Sequence, residues 1–378
     1  MDELLREDLN AFLKAADEYH INFYHSHSRK ELEKYIRDYM ASNQVENENQ
    51  LLYMIKSIIK FMSADKDCHT KINLSHSTFI PMKWVLIDNE LYIDNTIDDN
   101  FSKAKVLKIN NVPISDLISE LEPIICYATK GWFEKQIELE LRRVETLSIL
   151  PSINHNLTNV EILTDKGLLV IDSTKRYPNR PSQNKTYRII NDTLIFRYKA
   201  CEERCAPNIG EIAELIYANN IKKFVVDMRN NSGGNQTILY PLINYLKEIS
   251  IDVDVLVDKG VFSSARWNII DLQNIGAHII GENIGTPLNC FGCNNKAGST
   301  PNYGFLMTFS KWYITYDKDL NMITPIKTRE ELDKLNPNTF ANIYLKIDEK
   351  IDYTLDDFYN DVDPFIKHYE DKNKVQTA

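Results

Sequence analysis

The chain has 378 residues, 43% of them hydrophobic and 26% charged, and a formal net charge of −10. That length suits one large core or two to three modest ones, and a negative balance without a basic face argues against a nucleic-acid partner. No apolar run reaches the length that spans a bilayer, and the acidic, amphipathic start MDELLREDLN has no signal-peptide core behind it. A soluble cytoplasmic protein with no membrane partner is expected.

Leu4, Leu5, Leu9, Phe12, Leu13 and Ala16 form a helical stripe over residues 3–18. Ser28 with Glu31 is a capping box that opens a second helix through about Met40. A third, residues 50–62, carries Leu51, Leu52, Met54, Ile55, Ile58, Ile59 and Phe61, which read as core. His20, His25 and His27 cluster near the second helix without convincing ligand partners and read as surface residues. From Ile72 to Ile109 the pattern turns to strands, with Asp88-Asn89-Glu90 as a hairpin turn between 84–87 and 91–93. Helices are predicted at 114–121 and 132–148, and YPNRPSQN (177–184) reads as a boundary.

Beyond it, strands at 193–198, 223–227, 253–257 and 277–280 alternate with helices at 209–218, 237–246 and 264–273. Such alternation means an α/β sheet with helices on its faces. Two apolar strands are expected within 305–316, then a closing helix at 355–369 and a polar tail.

Two stretches carry chemistry. In IKKFVVDMRNNSGGN an apolar strand stops at Asp227, and a polar turn ends in Gly233-Gly234 before a helix opens near Gln236. A glycine turn before a helix aims backbone N–H groups into open space. In VDVLVDKGVFSSAR a strand is followed by Ser263-Ser264 at the mouth of a helix. A serine on such a turn, beside free amides, is how a nucleophile and an oxyanion hole are built. Taken singly, the glycines need only permit a tight turn and the serines need only cap a helix. The six cysteines do not form a disulfide framework. Cys201 with Cys205, and Cys290 with Cys293, would suit a zinc ion if they met; two unrelated pairs are the favoured reading, and no metal or cofactor is expected.

DMRNNSGGN resembles the D-L-R-x-N-x-G-G-N segment of the C-terminal processing (tail-specific) serine peptidases. FSSA, a helix and IIGENIG resemble their nucleophile turn and G-E-x-T-x-G loop; TPNYGF (300–305) resembles L-P-N-S-G-L, and TLDDFYNDVDPFI (354–366) their closing helix. The resemblance covers roughly the C-terminal half, and implies a ClpP/crotonase-like core with Ser263 as nucleophile and Ser264 as the fallback. It implies an oxyanion hole from the Ser264 amide and that of Gly233 or Gly234. The lysine base of the bacterial enzymes has no counterpart: GENIGTPLN holds Thr286 and Pro287, no lysine follows until Lys296, and Asn274 stands where those enzymes carry an aspartate. In the tricorn-like branch a histidine in a D-G-H-T segment is the base. Asp67, His69 and Thr70 match it, with Cys68 replacing the glycine. Cys68 also sits where a histidine-orienting serine would be; the orienting acid is unplaced, with Asp317 and Asp319 as guesses. AKVLKINNVPI (104–114) is similar to a segment of PDZ-like peptide-binding modules.

The expected organisation is an N-terminal helical unit (1–71), a β-rich, PDZ-like middle region (72–184), a peptidase core (185–370) and a flexible tail (371–378). Three functions compete: a Ser263–His69 serine endopeptidase acting on peptides or unstructured protein termini, a peptide-binding protein that has lost hydrolysis, and a zinc protein using the cysteine pairs.

Overall fold

The structure, a computed structural model, describes residues 1–376 except 97, 154–156, 176–185, 317–324 and 336–340. The chain divides into two compact units, one of Met1–Asn179 with Asn289–Asn342, the other of Arg180–Leu288 with Ile343–Ala378.

The first unit opens with α1 (Glu3–Tyr19), α2 (Arg29–Ser42) and α3 (Glu48–Ser63). The Ser28/Glu31 capping box forms as the spacing predicts, and an Asn47 side chain caps α3. α3 buries Leu51, Leu52, Met54, Ile55, Ile58, Ile59 and Met62 in the unit's main core. Short β1 (Lys71–Asn73) follows, then β2 (Lys83–Ile87) and β3 (Glu90–Asn95). Their hairpin turns on Asp88 and Asn89, both at positive φ, the type I′ geometry that matches strand twist. Asn110 and Asn111 repeat that device between β4 (Lys105–Ile109) and β5 (Val112–Pro113), and α4 (Ile114–Leu121) follows.

The helix expected over 132–148 is two, α5 (Lys130–Glu140) and α6 (Val144–Ile149). The break has a tertiary cause: the Arg142 carbonyl accepts from Ile80 N–H at 2.8 Å, and Val144 N–H donates to the Thr78 carbonyl at 3.0 Å. β6 (Asn159–Thr164) and β7 (Gly167–Asp172) complete an antiparallel sheet in the order β2-β3-β4-β6-β7.

The second unit begins with β8 (Tyr187–Ile190) and β9 (Thr193–Arg197), then α7 (Ile209–Ala218), β10 (Lys223–Asp227) and α8 (Tyr240–Ile249). β11 (Asp252–Val257), α9 (Ala265–Asn274) and β12 (His278–Gly281) follow. The predicted alternation holds element by element, and β9 to β12 pair parallel as it requires. Phe224, Val225 and Val226 of β10 are fully buried, as expected of a central parallel strand covered on both faces.

The chain then returns to the first unit as β13 (Cys290–Ser299), β14 (Leu306–Ile314) and α10 (Arg329–Asp333). Where two strands were expected within 305–316 there is one, β14, lying between β1 and β13. The last elements rejoin the second unit: β15 (Glu349–Lys350), α11 (Leu355–Tyr359) and α12 (Pro364–Gln376). β15 adds parallel to β12 and completes the order β15-β12-β11-β10-β9-β8. The single closing helix predicted at 355–369 is broken around Asp361, at φ +53, and Pro364, and the expected tail continues as helix to Gln376.

Candidate active site

Within the second unit, the loop after β11 delivers Ser263 at φ +52, a left-handed conformation that costs a non-glycine residue about 1–3 kcal/mol. The loop is held on both sides. Phe262 N–H donates to the Asn231 carbonyl at 2.9 Å, and Gly285 N–H of the GENIG segment to the Val261 carbonyl at 3.0 Å. Ser264 precedes α9 without capping it; its hydroxyl donates to the Gly234 carbonyl at 2.7 Å.

The two glycines are there for approach. A Cβ on Gly233 (φ +97) would lie 2.7 Å from Ser263 Cβ and 2.8 Å from Ser264 N; one on Gly234 (φ +136) would lie 2.3 Å from the Cys201 carbonyl oxygen. Only glycine tolerates both the φ and the contact. Gly233 N–H donates to Asn231 Oδ1 at 2.9 Å. The Gly234 and Ser264 amides have no acceptor among the described residues, so two N–H groups are left over where the turn meets the helix start.

The turn's fixity comes from buried polar groups. Asp227 ends β10 and is paired with Arg197 at 2.5 Å and Arg229 at 2.8 Å. Burial would raise its pKa, but the charges and hydrogen bonds of Arg229 and Arg197 outweigh that and hold it down at about 2. Arg229 also forks onto Asp363 at the start of α12, at 2.8 and 3.0 Å, with its guanidinium 4.5 Å from the Phe365 ring. Two motifs that are 134 residues apart are thus one structural device. Asp258 accepts from Asn230 N–H at 2.7 Å and from Asn230 Nδ2 at 2.8 Å, and Asn231 Nδ2 donates to the Tyr198 carbonyl at 3.0 Å.

In the first unit, His69 is buried just before β1. Gly292 of β13 lies against its imidazole, close enough that an added Cβ would sit 3.4–3.6 Å from three ring atoms. The preceding Asp67 is the hub of this turn. Its Oδ1 accepts from the His69 and Thr70 amides, at 2.9 and 3.1 Å, and from Ser310 Oγ at 2.8 Å. Its Oδ2 accepts from Thr70 Oγ1 at 2.5 Å and lies 2.9 Å from His20 Nε2. His20 Nδ1 accepts from Asn22 N–H, which assigns the proton to Nε2, the nitrogen that donates to Asp67. Burial alone would raise the Asp67 pKa; the His20 and Thr70 bonds hold it well below the usual carboxylate range.

The reading of His20, His25 and His27 as surface residues is corrected for His20; His25 and His27 keep partial exposure. His20 is buried, His25 stacks on Phe291 at 4.1 Å, and His27 stacks on Phe61 at 3.9 Å. Burial drives the His25 pKa down to about 3. His20, His25 and Asp67 place ligand atoms within 4.8 Å of one another. The donors already converging on both Asp67 oxygens make the cluster a hydrogen-bonded brace, and leave that carboxylate poorly suited to a cation. Cys68 is partly exposed, and burial of its thiol raises the pKa well above normal.

Cys201 and Cys205 belong to one unit and Cys290 and Cys293 to the other; no cysteine enters a three-ligand group among the described residues. Asp317 and Asp319 lie outside the described residues. Asp67 was singled out but its bond to His20 was not, and His20, Asn231, Asp258 and the Arg229–Asp363 pair carried no role in the sequence reading. The string DMRNN and the D-P step of the closing helix were the only sequence signals for the last of these.

No family model and no curated relative matches the chain. Among solved structures, mature CPAF matches at 10% identity over 97% of each chain with a TM-score of 0.56. A serine-to-alanine mutant of CPAF matches at 10% identity over 97% of each chain with a TM-score of 0.58. The photosystem II D1 C-terminal processing protease is a weaker likeness, at 10% identity over 93% of this chain and 94% of that one, with a TM-score of 0.47. At such identities the likeness is one of fold. The fold the chain shares is that of CPAF. No helix among the described residues is long and apolar enough to cross a membrane.

Proposed function

We propose that the chain is a serine endopeptidase acting on peptides or unstructured protein termini, with Ser263 as nucleophile and His69 as general base. The observation that carries the reading is the left-handed Ser263, φ +52, set between a glycine turn and the unengaged amide of Ser264. Strain of that kind persists only where surrounding structure holds it, and here it presents a hydroxyl at the mouth of a helix. The Ser264 amide and one amide of Gly233-Gly234 form the oxyanion hole in this reading; Gly234 has the N–H that is not already engaged.

The unit that holds Ser263 is read as a ClpP/crotonase-like core, and residues 72–184 as a PDZ-like region that engages peptide. His69 and Ser263 sit in different units, so their cooperation is the substance of the proposal. The test is incubation of the purified chain with an unfolded reporter protein beside Ser263→Ala. Cleavage by the first and not by the second supports hydrolysis at Ser263. Cleavage by both would assign it to a contaminant or another residue. Tight retention of uncut peptide by the wild type would favour a peptide-binding protein on the same fold.

A further inference from the structure

Cys201, buried behind the glycine turn, pairs with Gly234 as an isolated parallel bridge. Its N–H donates to the Gly233 carbonyl at 3.1 Å, and its carbonyl accepts from Asn235 N–H at 2.8 Å. In a planar trans peptide the carbonyl and the following N–H point in opposite directions. The N–H and the carbonyl of Gly234 therefore both face away from Cys201. Ser264 lies on that side, since its hydroxyl reaches the Gly234 carbonyl at 2.7 Å. The unengaged Gly234 amide is thus turned toward the segment that carries Ser263 and Ser264. Two successive glycines have little preference of their own for one orientation, so the bridge to Cys201 sets it.

The side chain of Cys201 sits between two amide oxygens. Its thiol proton is shared between Asn268 Oδ1, 3.4 Å from Sγ, and Asn231 Oδ1, 3.7 Å away. Neither amide is free to turn its nitrogen to the sulfur. Asn268 Nδ2 donates to the Gln236 carbonyl at 2.8 Å, and Asn231 Nδ2 to the Tyr198 carbonyl at 3.0 Å, which assigns both oxygens to the thiol. Asn231 Oδ1 is also the acceptor that engages Gly233 N–H, at 2.9 Å. Burial pushes the Cys201 thiol up to about 11, so at neutral pH the sulfur keeps the proton it donates. One buried thiol therefore links the group that engages the Gly233 amide to α9, the helix that follows Ser263 and Ser264.

We propose that Cys201 is a positioning residue of the oxyanion hole: its backbone turns the Gly234 N–H toward the nucleophile, and its thiol holds Asn231 on Gly233 and ties the glycine turn to α9. The inference rests on the reading of Ser263 as the reacting residue. It adds which amide is aimed at the developing oxyanion and what aims it. An oxyanion donor acts through pre-set direction, with no reorganisation at the moment of reaction. Removal of the thiol leaves Asn268 Oδ1 without a donor among the described residues and leaves Asn231 free to shift. The glycine turn then loses its fixed orientation relative to the serine. The bond acts on the reaction rate once a reagent is bound, and leaves the binding of the reagent itself untouched.

The experiment has two arms. In the first, the full chain is labelled with a fluorophosphonate at several concentrations, which separates the saturated rate from probe affinity. Cys201→Ala, which has no donor, should lose about tenfold or more in the saturated rate at unchanged affinity. Cys201→Ser, which restores a hydroxyl donor, should recover most of that loss. A wild-type rate in Cys201→Ala, equal losses in both variants, or a loss confined to affinity would overturn the proposal. Should Cys201→Ala not fold, Cys201→Val, which fills the space without a donor, takes its place. If neither folds, the thiol serves stability alone and the proposal is overturned. The second arm needs no reactivity: hydrogen exchange of the Gly233 amide, followed by NMR on protein labelled with 15N-glycine. Exchange should quicken about tenfold or more in Cys201→Ala and return toward wild type in Cys201→Ser. The amide of Gly276, bonded to the Gln273 carbonyl at 2.9 Å, is the control and should not change. Unchanged exchange at Gly233 would overturn the proposal. A wild type that takes no label contradicts the reading of Ser263 as nucleophile, and the exchange arm alone then decides whether Cys201 holds the turn.

Discussion

Asp227→Asn is the substitution whose cost the structure sets most closely. The Asp227 carboxylate is 3% exposed and pairs with Arg197 and Arg229. Its pKa falls from the ordinary 3.8 to about 2, which corresponds to about 2.5 kcal/mol of stability at neutral pH. Asparagine keeps the shape and one acceptor but leaves Arg197 without an acid. Breaking one side of a buried pair costs about 3–5 kcal/mol, so the loss should lie between about 2.5 and 5 kcal/mol. Urea unfolding at pH 7, followed by circular dichroism, measures it. A carboxylate with a depressed pKa contributes its stability above its unfolded pKa, and loses it as pH falls through the folded one. The gap between wild type and Asp227→Asn should therefore narrow from about pH 4 downward and close near pH 2. A gap below about 0.5 kcal/mol at pH 7, or one that persists undiminished at pH 2, would refute the assignment of Asp227 as a paired carboxylate that anchors the glycine turn.

Gly233→Ala puts a Cβ 2.7 Å from Ser263 Cβ at φ +97; reactivity at Ser263 toward a covalent serine probe should fall at least 100-fold, about 3 kcal/mol. Gly210→Ala, whose nearest neighbour would be 3.6 Å away, is the control and should leave reactivity unchanged. His20→Ala removes a donor to the buried Asp67 carboxylate and should cost about 1.5–3 kcal/mol in urea unfolding. His20→Gln, which keeps an amide donor, should recover part of that.

The second unit was legible because its elements are local. Phe224-Val225-Val226 reads as a buried strand, Gly233-Gly234 as a turn and Ser263-Ser264 as a helix mouth, whatever the rest of the chain does. What the sequence left hidden depends on pairings over long separations. Nothing in ADKDC marks Asp67 as the carboxylate that binds His20, 47 residues earlier, so a buried histidine looked like a surface one. β13 has a glycine- and asparagine-rich sequence, CFGCNNKAGS, with no alternation to betray a strand; its register comes from β14. For the same reason the chain's return from the second unit to the first at residue 289 leaves no signature in periodicity. The break between α5 and α6 likewise comes from bonds to Thr78 and Ile80, which override good local helix propensity. Arg266 is the reverse case: a long, charged residue at a helix start looks solvated in sequence, and only the fold shows it buried.

The most direct measurement is labelling of the purified chain with a fluorophosphonate probe, with the labelled peptide mapped by mass spectrometry beside Ser263→Ala and His69→Ala. One labelled peptide is expected, modified at Ser263, with labelling lost in Ser263→Ala and slowed at least 100-fold in His69→Ala. Labelling at Ser264 would keep an activated serine and move it by one residue. A folded protein that takes up no label, or labels equally in His69→Ala, would contradict the claim that Ser263 and His69 work as nucleophile and base.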